Sequence, residues 1–323
     1  MVNRFVVFLF VISPMCLLAQ RETVVKTDSS TIETKYFEDL NSIRVFNNLK
    51  TQNKSYFTDY YYDTKRVKER GVFLGNNSHG VWKEFWPDGK LKSVINHTAG
   101  VITYFDKKAY PFYDYQLSIK LKGDSIIRKI YSNEFLKKNV VWDIDHSYIY
   151  HHPYSGNWTD SLELKPEEFL LRYAIKLDGK IYPEIIELHL DKHGRFVADQ
   201  DIKGLEKLPA NTKRTFKLTL SNAILLAKQK GLVESRSKKA DAFLTWESEE
   251  SKSIYRGHFR VYVIINTTSL KDIHPKGRST IIDKYDVYIF NPWSGTFIQK
   301  KKMKAIRGWE EGSGSSTGLL PDR

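Results

Sequence analysis

Short segments in which apolar and polar residues alternate, separated by turn residues, characterise the N-terminal half of the chain. The clearest is residues 80–91, Gly-Val-Trp-Lys-Glu-Phe-Trp-Pro-Asp-Gly-Lys-Leu. Proline presets the backbone angle that opens a tight turn, and glycine readily adopts the left-handed conformation that closes one. The segment therefore predicts a β-hairpin, with a strand over Val81–Trp86, a turn at 87–89 and a second strand from Lys90.

This hairpin unit partly repeats. Residues 60–65 (Tyr-Tyr-Tyr-Asp-Thr-Lys) correspond to residues 85–90, and residues 100–105 (Gly-Val-Ile-Thr-Tyr-Phe) correspond to residues 80–85. The offsets of 25 and 20 residues between these segments are typical of stacked supersecondary units. The pattern predicts an N-terminal antiparallel meander.

The pattern G-x-W-x-x-F-W-x-D-G-x-L resembles the MORN-variant repeat, which is often labelled as antitoxin-type. The matching residues are Gly80, Trp82, Phe85, Trp86, Asp88, Gly89 and Leu91, with Gly71 and Phe73 in the preceding ladder. The resemblance implies a small β-meander that serves as an interaction or structural surface. It makes Trp82, Phe85 and Trp86 candidate binding residues. Exposed tryptophans can stack on sugar rings, and the alternative is that Trp82 and Trp86 form the core of the repeat.

The middle of the chain gives mixed signals. Two alternating runs, Tyr115–Lys122 and Ser125–Tyr131, flank Gly123-Asp124 and predict a hairpin. Pro166–Tyr173 carries proline and two glutamates in its first turn, which favours a short helix. Ala174–Leu177 and Ile181–Leu190 predict a second hairpin.

The C-terminal part predicts one helix followed by antiparallel strands. The residues that fall on one helical face are Leu220, Ala223, Ile224 and Ala227. The residues that alternate along a later strand are Phe259, Val261, Val263 and Ile265. The last hairpin, around Asn291–Gly295, resembles the end of PepSY-like domains in Gly295 and in the order of elements. That resemblance implies a small binding or inhibitory module.

Together these patterns predict a mainly β, α+β protein. An N-terminal antiparallel meander of MORN-like hairpins is followed by one or two small units of helix plus antiparallel sheet. The predicted regions are 1–19 (signal peptide), 20–113 (MORN-like repeats), 114–210 (β-rich middle), 211–310 (PepSY-like) and 311–323 (disordered tail). The high aromatic content, 14% with 19 Tyr and 18 Phe, agrees with a β-rich chain.

Residues 1–19 have the three parts of a secretory signal. Arg4 gives a positive start, residues 5–12 are apolar, and Leu17-Leu18-Ala19 precedes Gln20. We therefore expect an exported protein, periplasmic or secreted, that begins near Gln20 and has no transmembrane segment in its mature form. The only cysteine, Cys16, lies inside this signal. Because Met15 occupies the place of the small residue that a lipoprotein signal needs, we do not expect a lipid anchor.

The formal net charge is +13, which favours anionic partners or else reflects lysines that keep sheet edges unpaired. The positive charge is spread along the chain and the chain carries an export signal, so nucleic acid is not an expected partner. The strongest basic segment is on a predicted strand, where Lys300, Lys302 and Lys304 would share one face. These three lysines are candidates for binding an anionic surface polymer.

The densest set of candidate metal ligands lies in one histidine-rich stretch. The possible metal ligands are Asp143, Asp145, His146, His151 and His152. Imidazole and carboxylate groups suit Zn²⁺ and similar ions, but the spacing matches no established ligand pattern. A polar, aromatic surface loop is the alternative interpretation, and no cofactor is expected.

The sequence contains no nucleophile elbow, phosphate-binding glycine loop or dinucleotide fingerprint. We therefore expect a non-catalytic envelope protein that binds another protein or a surface polymer through its sheets. One alternative is an inhibitor or chaperone-like module for an exported enzyme. A second is a metal-dependent hydrolase that uses residues 143–152.

Overall fold

The computed structural model describes residues 21–160, 162–197, 202–209, 214–249, 253–273, 279–310 and 313–322. The predicted signal peptide, including Cys16, lies outside these residues. By its internal contacts the chain forms two compact units. Unit 1 is Met1–Asn96 with Ile102–Phe105, and unit 2 is His97–Val101 with Asp106–Arg323.

Unit 1 contains an eight-stranded antiparallel meander, which confirms the fold class predicted for this part of the chain. Its strands are β1 (Arg21–Lys26), β2 (Ser30–Phe37), β3 (Ser42–Leu49), β4 (Lys54–Tyr60), β5 (Val67–Leu74), β6 (Asn77–Phe85), β7 (Leu91–Asn96) and β8 (Val101–Tyr104). Each strand pairs with the next in sequence. Every side chain therefore faces one of two sides, and directly paired residues share a side.

The predicted hairpin at residues 80–91 is present as β6 and β7. The N–H of Trp86 donates to the carbonyl of Lys90 at 2.8 Å, and the N–H of Gly89 donates to the carbonyl of Trp86 at 2.8 Å. Gly89 has φ +87°, a conformation that is strained for any residue with a Cβ. The Pro-Asp-Gly turn thus fixes the register of these two strands.

Unit 2 contains three helices and two sheets among its described residues. Its helices are α1 (Tyr113–Ile130), α2 (Asn133–Asn139) and α3 (Leu220–Gln229). The first sheet has the order β11 (Tyr154–Asn157), β10 (Tyr148–His151), β12 (Glu168–Leu177), β13 (Lys180–Asp191), with β9 (Val140–Trp142) also paired to β12. The second has the order β14 (Asp241–Ser248), β15 (Gly257–Ile273), β16 (Ser279–Phe290), β17 (Phe297–Glu310), β18 (Ser313–Ser316), with β19 (Leu320–Pro321) on β17.

Helix α1 replaces the hairpin expected over residues 115–131, so that prediction is wrong. Ile119, Gly123 and Ile127 recur every four residues and are buried. Gly123, which looked like a turn residue, lies where the helix meets strand β12. A Cβ at this position would lie 2.6 Å from Leu171 Cδ1 and 2.8 Å from Tyr173 Oη. The glycine is therefore explained by close packing rather than by chain reversal.

The short helix expected over Pro166–Tyr173 is also wrong. Residues from Glu168 onward form β12, in which Phe169, Leu171 and Tyr173 are buried on one side. Strands β10 and β13 both pair with β12, and pairing on both edges favours the extended form over the helix suggested by local composition.

The C-terminal elements match their predicted order. Helix α3 is followed by the long antiparallel strands of the second sheet, as the sequence pattern indicates. Thr219 caps the start of α3, because its hydroxyl accepts the N–H of Asn222 at 3.1 Å. Gly231 has φ +93° just beyond the helix, as expected for a C-terminal cap.

The described part of the tail is ordered, whereas its Gly and Ser content predicted disorder. Residues Ser313–Ser316 and Leu320–Pro321 both pair with β17. The ring of Trp309 lies against Gly314, and Asp322 forms ion pairs with Lys284 at 3.1 Å and Lys304 at 3.7 Å. These long-range contacts hold a segment that has little local preference for a strand. No helix among the described residues is long and apolar enough to cross a membrane.

Candidate functional site

An aromatic stripe crosses one side of the unit 1 sheet from β3 to β6. It consists of Phe46, Phe57, Phe73 and Trp82. Neighbouring ring centroids are 4.8 to 5.6 Å apart along the stripe, as in Phe46–Phe57 at 5.1 Å and Phe73–Trp82 at 4.8 Å. Phe57 and Trp82 are buried, but Phe46 and Phe73 are only half-buried. Along the stripe, from β3 to β6, partly open rings therefore alternate with buried ones.

The two partly open rings line a shallow groove of about 370 Å³ on the same side of the sheet. The other walls are Glu33 and Lys35 from β2, Asn48 from β3, Ser55 from β4 and the turn Gly75-Asn76 after β5. The register explains this grouping, because Glu33 pairs with Phe46, Asn48 pairs with Ser55, and Ser55 pairs with Phe73. The groove therefore runs across the strands rather than along one.

The polar side of the groove is a fixed hydrogen-bond relay. Ser55 Oγ–H donates to Asn48 Oδ1 at 2.5 Å, and Asn48 Nδ2–H donates to Glu33 Oε1 at 3.2 Å. These bonds set the orientation of the Asn48 amide. They use only one of the two N–H bonds of the Asn48 amide and one of the two Glu33 oxygens, so the others remain available for hydrogen bonds to a ligand. Phe46 and Phe73 have centroids 6.3 Å apart and planes 25° from parallel, so they form one aromatic surface beside this relay.

A row of three carboxylates lies on this side of the sheet, away from the groove. Asp59 pairs with Glu69, and Glu69 pairs with Glu84. Ser42 Oγ–H donates to Asp59 at 2.6 Å, and Ser93 Oγ–H donates to Glu84 at 2.6 Å. Burial, followed by the charges of Glu84 and Asp59, raises the pKa of Glu69 to about 7. The row therefore places a carboxyl that is about half protonated near pH 7 between two hydrogen-bonded carboxylate neighbours.

The groove and the carboxylate row are separated along strand β5. Gly71 lies between Glu69 and Phe73, and the indole of Trp82 covers it. Two neighbouring carboxyls, one of which has a raised pKa, can serve as an acid–base pair in enzymes. Here the buried Trp82 ring stands between the pair and the open rings of the groove.

The three aromatic residues predicted to bind a partner differ from one another in their exposure. Trp82 is only 4% exposed, and its Nε1–H donates to the carbonyl of Val72 at 3.1 Å, so its indole packs inside the sheet face. Phe85 and Trp86 are half-buried at the end of β6 and in the following turn. Each lies near a cation, Arg70 at 5.6 Å from the Phe85 ring and Lys92 at 5.2 Å from the Trp86 ring.

The three predicted lysines share one side of β17, as their spacing indicates, but two have acidic partners. Lys300 Nζ is 2.7 Å from Asp286, and this hydrogen bond raises the pKa of Lys300. Lys304 Nζ is 3.7 Å from Asp322. Lys302 is exposed. The basic strand thus carries less uncompensated charge than its sequence suggests.

The residues proposed as metal ligands are not brought together. His146 Nδ1 is 2.9 Å from Asp143, whereas Asp145 contacts His97 at 3.1 Å. Burial raises the pKa of Asp143, and its hydrogen bond with His146 opposes that rise. His152 contacts Glu168 at 3.4 Å, and His151 Nδ1 is buried without a hydrogen-bond partner. The described residues contain no group of three or more His, Cys, Asp or Glu placed to hold a metal ion.

Sequence analysis missed one buried polar centre in unit 2. Glu206 is 3% exposed, and its carboxylate accepts hydrogen bonds from Trp293 Nε1–H at 2.7 Å and from the Phe259 N–H at 3.2 Å. His258 Nδ1 lies 2.8 Å from the other oxygen. The Tyr131 hydroxyl accepts the N–H of Glu206 at 2.7 Å. Because both carboxylate oxygens are hydrogen-bonded, this centre is a packing element that joins distant segments of unit 2.

The groove residues were also missed by sequence analysis. They come from four strands and from a turn, so no local motif unites them. The alternation of Phe46 with Asn48 and of Ser55 with Phe57 was the available signal, because it places an aromatic and a polar residue on one side of each strand. Comparisons of the chain with protein-family models, curated proteins and solved structures give no match.

Proposed function

We propose that this protein is an exported, non-catalytic binding protein that holds another protein or a surface polymer on the sheet of unit 1. The groove beside Phe46 and Phe73 is the observation that supports this proposal. It combines partly open aromatic rings with oriented polar groups, which is the usual make-up of a binding site. Unit 1 supplies only strands among its described residues, so its own elements do not cover this surface.

Export rests on the signal-like residues 1–19. The test is the intact mass of the protein recovered from the medium or the envelope of its source. Export with cleavage before Gln20 predicts the mass of residues 20–323. Recovery of the full-length chain from the cytoplasm would contradict this part of the proposal.

Binding can be tested by immobilising residues 20–323 and exposing them to an envelope extract of the source. A specific component should be retained, and Phe73→Ala should release it. Tyr56→Ala is the matched control, because Tyr56 is 45% exposed on the opposite side of the neighbouring strand β4. Retention that is unaffected by Phe73→Ala, or no retention at all, would count against the proposal.

The identity of the retained component separates the alternatives. A stoichiometric complex with an exported enzyme that loses activity on binding would favour the inhibitor role. Metal analysis of the same untagged sample addresses the hydrolase alternative. A stoichiometric metal, with turnover that a chelator abolishes, would replace the binding proposal.

A further inference from the structure

We propose that the unit 1 groove binds a neutral polysaccharide, with a sugar ring stacked on Phe46 and Phe73 and its hydroxyls bonded to Asn48, Glu33 and Ser55. This inference rests on the proposed function and names the ligand class of the same surface. It is carried by the chemistry of the groove, by its charge balance and by its position within the sheet.

The chemistry of the groove matches the two kinds of surface that a pyranose presents. The faces of the ring carry C–H groups that pack on aromatic side chains, and its rim carries hydroxyls that both donate and accept hydrogen bonds. Phe46 and Phe73 supply the aromatic surface, with planes only 25° apart. The relay from Ser55 through Asn48 to Glu33 supplies donors and acceptors at the side of these rings.

The relay is ordered before any ligand arrives. The Asn48 amide has a bond on each side, so its unused N–H has a fixed direction. Pre-orientation reduces the side-chain entropy lost on binding. A cavity of about 370 Å³ lies in the range of small-molecule sites, roughly 300 to 1,000 Å³, and suits one or two sugar units of a longer chain.

The charge balance favours a neutral ligand. Glu33 and Lys35 lie on the same side of β2, two residues apart, and Lys35 Nζ is also 3.8 Å from Glu22 on β1. Positive and negative groups therefore compensate each other at the groove, although the whole chain has a formal net charge of +13. An anionic polymer would meet Glu33 without a matching excess of cations.

The position of the groove argues against an extended peptide. Peptides that bind to sheets usually add a strand at an edge, where backbone N–H and C=O groups are unpaired. The groove lies over β2 to β5, and each of these strands is paired on both sides. A ligand in the groove must therefore be recognised by side chains rather than by backbone pairing, and the proposed sugar contacts are all with side chains.

Calorimetric titration of residues 20–323 with neutral hexasaccharides tests the proposal. The set contains cellohexaose, laminarihexaose, maltohexaose and N-acetylchitohexaose, with an oligogalacturonate of the same length as the anionic comparison. We expect at least one neutral ligand to bind more tightly than the oligogalacturonate. Asn48→Ala and Phe73→Ala should each weaken that binding about tenfold or more, because each removes a direct contact. Tyr56→Ala should change it less than about twofold.

Folding controls keep the result decisive. Phe73 contacts Phe57 in the stripe, so Phe73→Ala is compared with wild type by circular dichroism, and Asn48→Ala tests the groove without removing an aromatic ring. Absence of binding by every neutral ligand would overturn the inference, as would binding that ignores Asn48→Ala. If Phe73→Ala then still released a protein from the envelope extract, the proposed binding function would stand and only the glycan assignment would fail.

Discussion

The indole of Trp82 lies directly over Gly71 on the neighbouring strand of unit 1, in space that a Cβ at position 71 would occupy. Phe57 and Phe73 pack on the same indole, with ring centroids 5.4 and 4.8 Å away. Glycine is therefore required at position 71 by the ring beside it rather than by a turn. The aromatic motif that resembles MORN-variant repeats thus contributes at least one of its tryptophans to the core.

The Gly71–Trp82 contact predicts that both residues control stability. Trp82→Ala should lower the free energy of unfolding by roughly 3 to 5 kcal/mol, the usual cost of removing a buried large aromatic ring. Gly71→Ala should cost about 1 to 3 kcal/mol, because the added methyl displaces the indole. Urea unfolding followed by circular dichroism gives these values, with hydrogen exchange assigning the loss to residues 54–96.

Val81→Ala is the matched control, since Val81 neighbours Trp82 on β6 and is 49% exposed. Its expected effect is within about 0.5 kcal/mol. If Trp82→Ala unfolded at the wild-type urea concentration but lost binding, Trp82 would instead be a contact residue.

The raised pKa of Glu69 predicts that the free energy of unfolding falls as pH rises. Its pKa is about 7 in the folded protein against 4.5 for the ordinary group, so the unfolded chain ionises first. Stability should therefore fall between pH 4.5 and pH 7, by up to roughly 3 kcal/mol for this group alone. Glu69→Gln should reduce this fall, so that the variant is more stable than wild type above pH 7 and similar to it below pH 4.5.

The charges around Glu69 suggest a second variant, whose expected effect on the pH dependence of stability is opposite to that of Glu69→Gln. Lys68 and Lys92 lower the pKa of Glu69, whereas Glu84 and Asp59 raise it. Lys68→Gln should raise the pKa further and make the total fall in stability larger, because it widens the pH range in which only the unfolded chain is ionised. Urea midpoints measured across this pH range give the result. Equal pH dependence in wild type and Glu69→Gln would show that Glu69 is not the responsible group.

Local sequence was sufficient where a structure depends on neighbouring residues. The Pro-Asp-Gly turn at 87–89 and the Asp178-Gly179 turn both join strands as predicted, because turn chemistry is set by the residues in the turn. It was insufficient where the decisive partner is distant. Gly123 resembles a turn residue until the close approach of Leu171, 48 positions later, is known.

The groove and the Glu206 centre could not be predicted from the sequence for the same reason. Phe46 and Phe73 are 27 positions apart in sequence, and only the strand register brings them together. Glu206 belongs to no motif in the sequence, yet it accepts a hydrogen bond from Trp293, which is 87 positions away. A short motif predicts turns and strands, whereas a site that is assembled across several strands can be found only once the strand register is known.

Gly123 gives a prediction in which two effects oppose each other. In an exposed helix position, Gly→Ala would add about 1 kcal/mol of stability through helix propensity. At position 123 the new methyl would lie 2.6 Å from Leu171 Cδ1 and 2.8 Å from Tyr173 Oη, and both groups are buried. We expect the overlap to prevail, with a net loss of roughly 1 to 3 kcal/mol.

Ser118→Ala, at an exposed position of α1, should change stability by less than about 0.5 kcal/mol. Thermal unfolding of the two variants distinguishes them, and a more stable Gly123→Ala would show that α1 can move away from β12.

The last prediction concerns the buried carboxylate of Glu206. Glu206→Ala leaves the Trp293 Nε1–H, the Phe259 N–H and His258 without their acceptor inside a cluster of aromatic rings. Breaking such a buried charged network costs about 3 to 5 kcal/mol. Glu206→Gln keeps the shape and one acceptor oxygen, so its cost should be smaller, at about 1 to 3 kcal/mol.

Glu249→Gln is the matched control, because Glu249 contacts the outer nitrogen of the same His258 at 3.1 Å but is 59% exposed. Its expected effect is within about 1 kcal/mol, as for other exposed ion pairs. Near-ultraviolet circular dichroism, to which Trp293 contributes through its stacking on Tyr131 at 5.4 Å, adds a structural signal to the urea midpoints. Glu206→Ala should weaken that signal, whereas Glu249→Gln should preserve it. Equal stability of the two variants would mean that the buried carboxylate contributes no more than an exposed one, and that the aromatic rings alone join these segments.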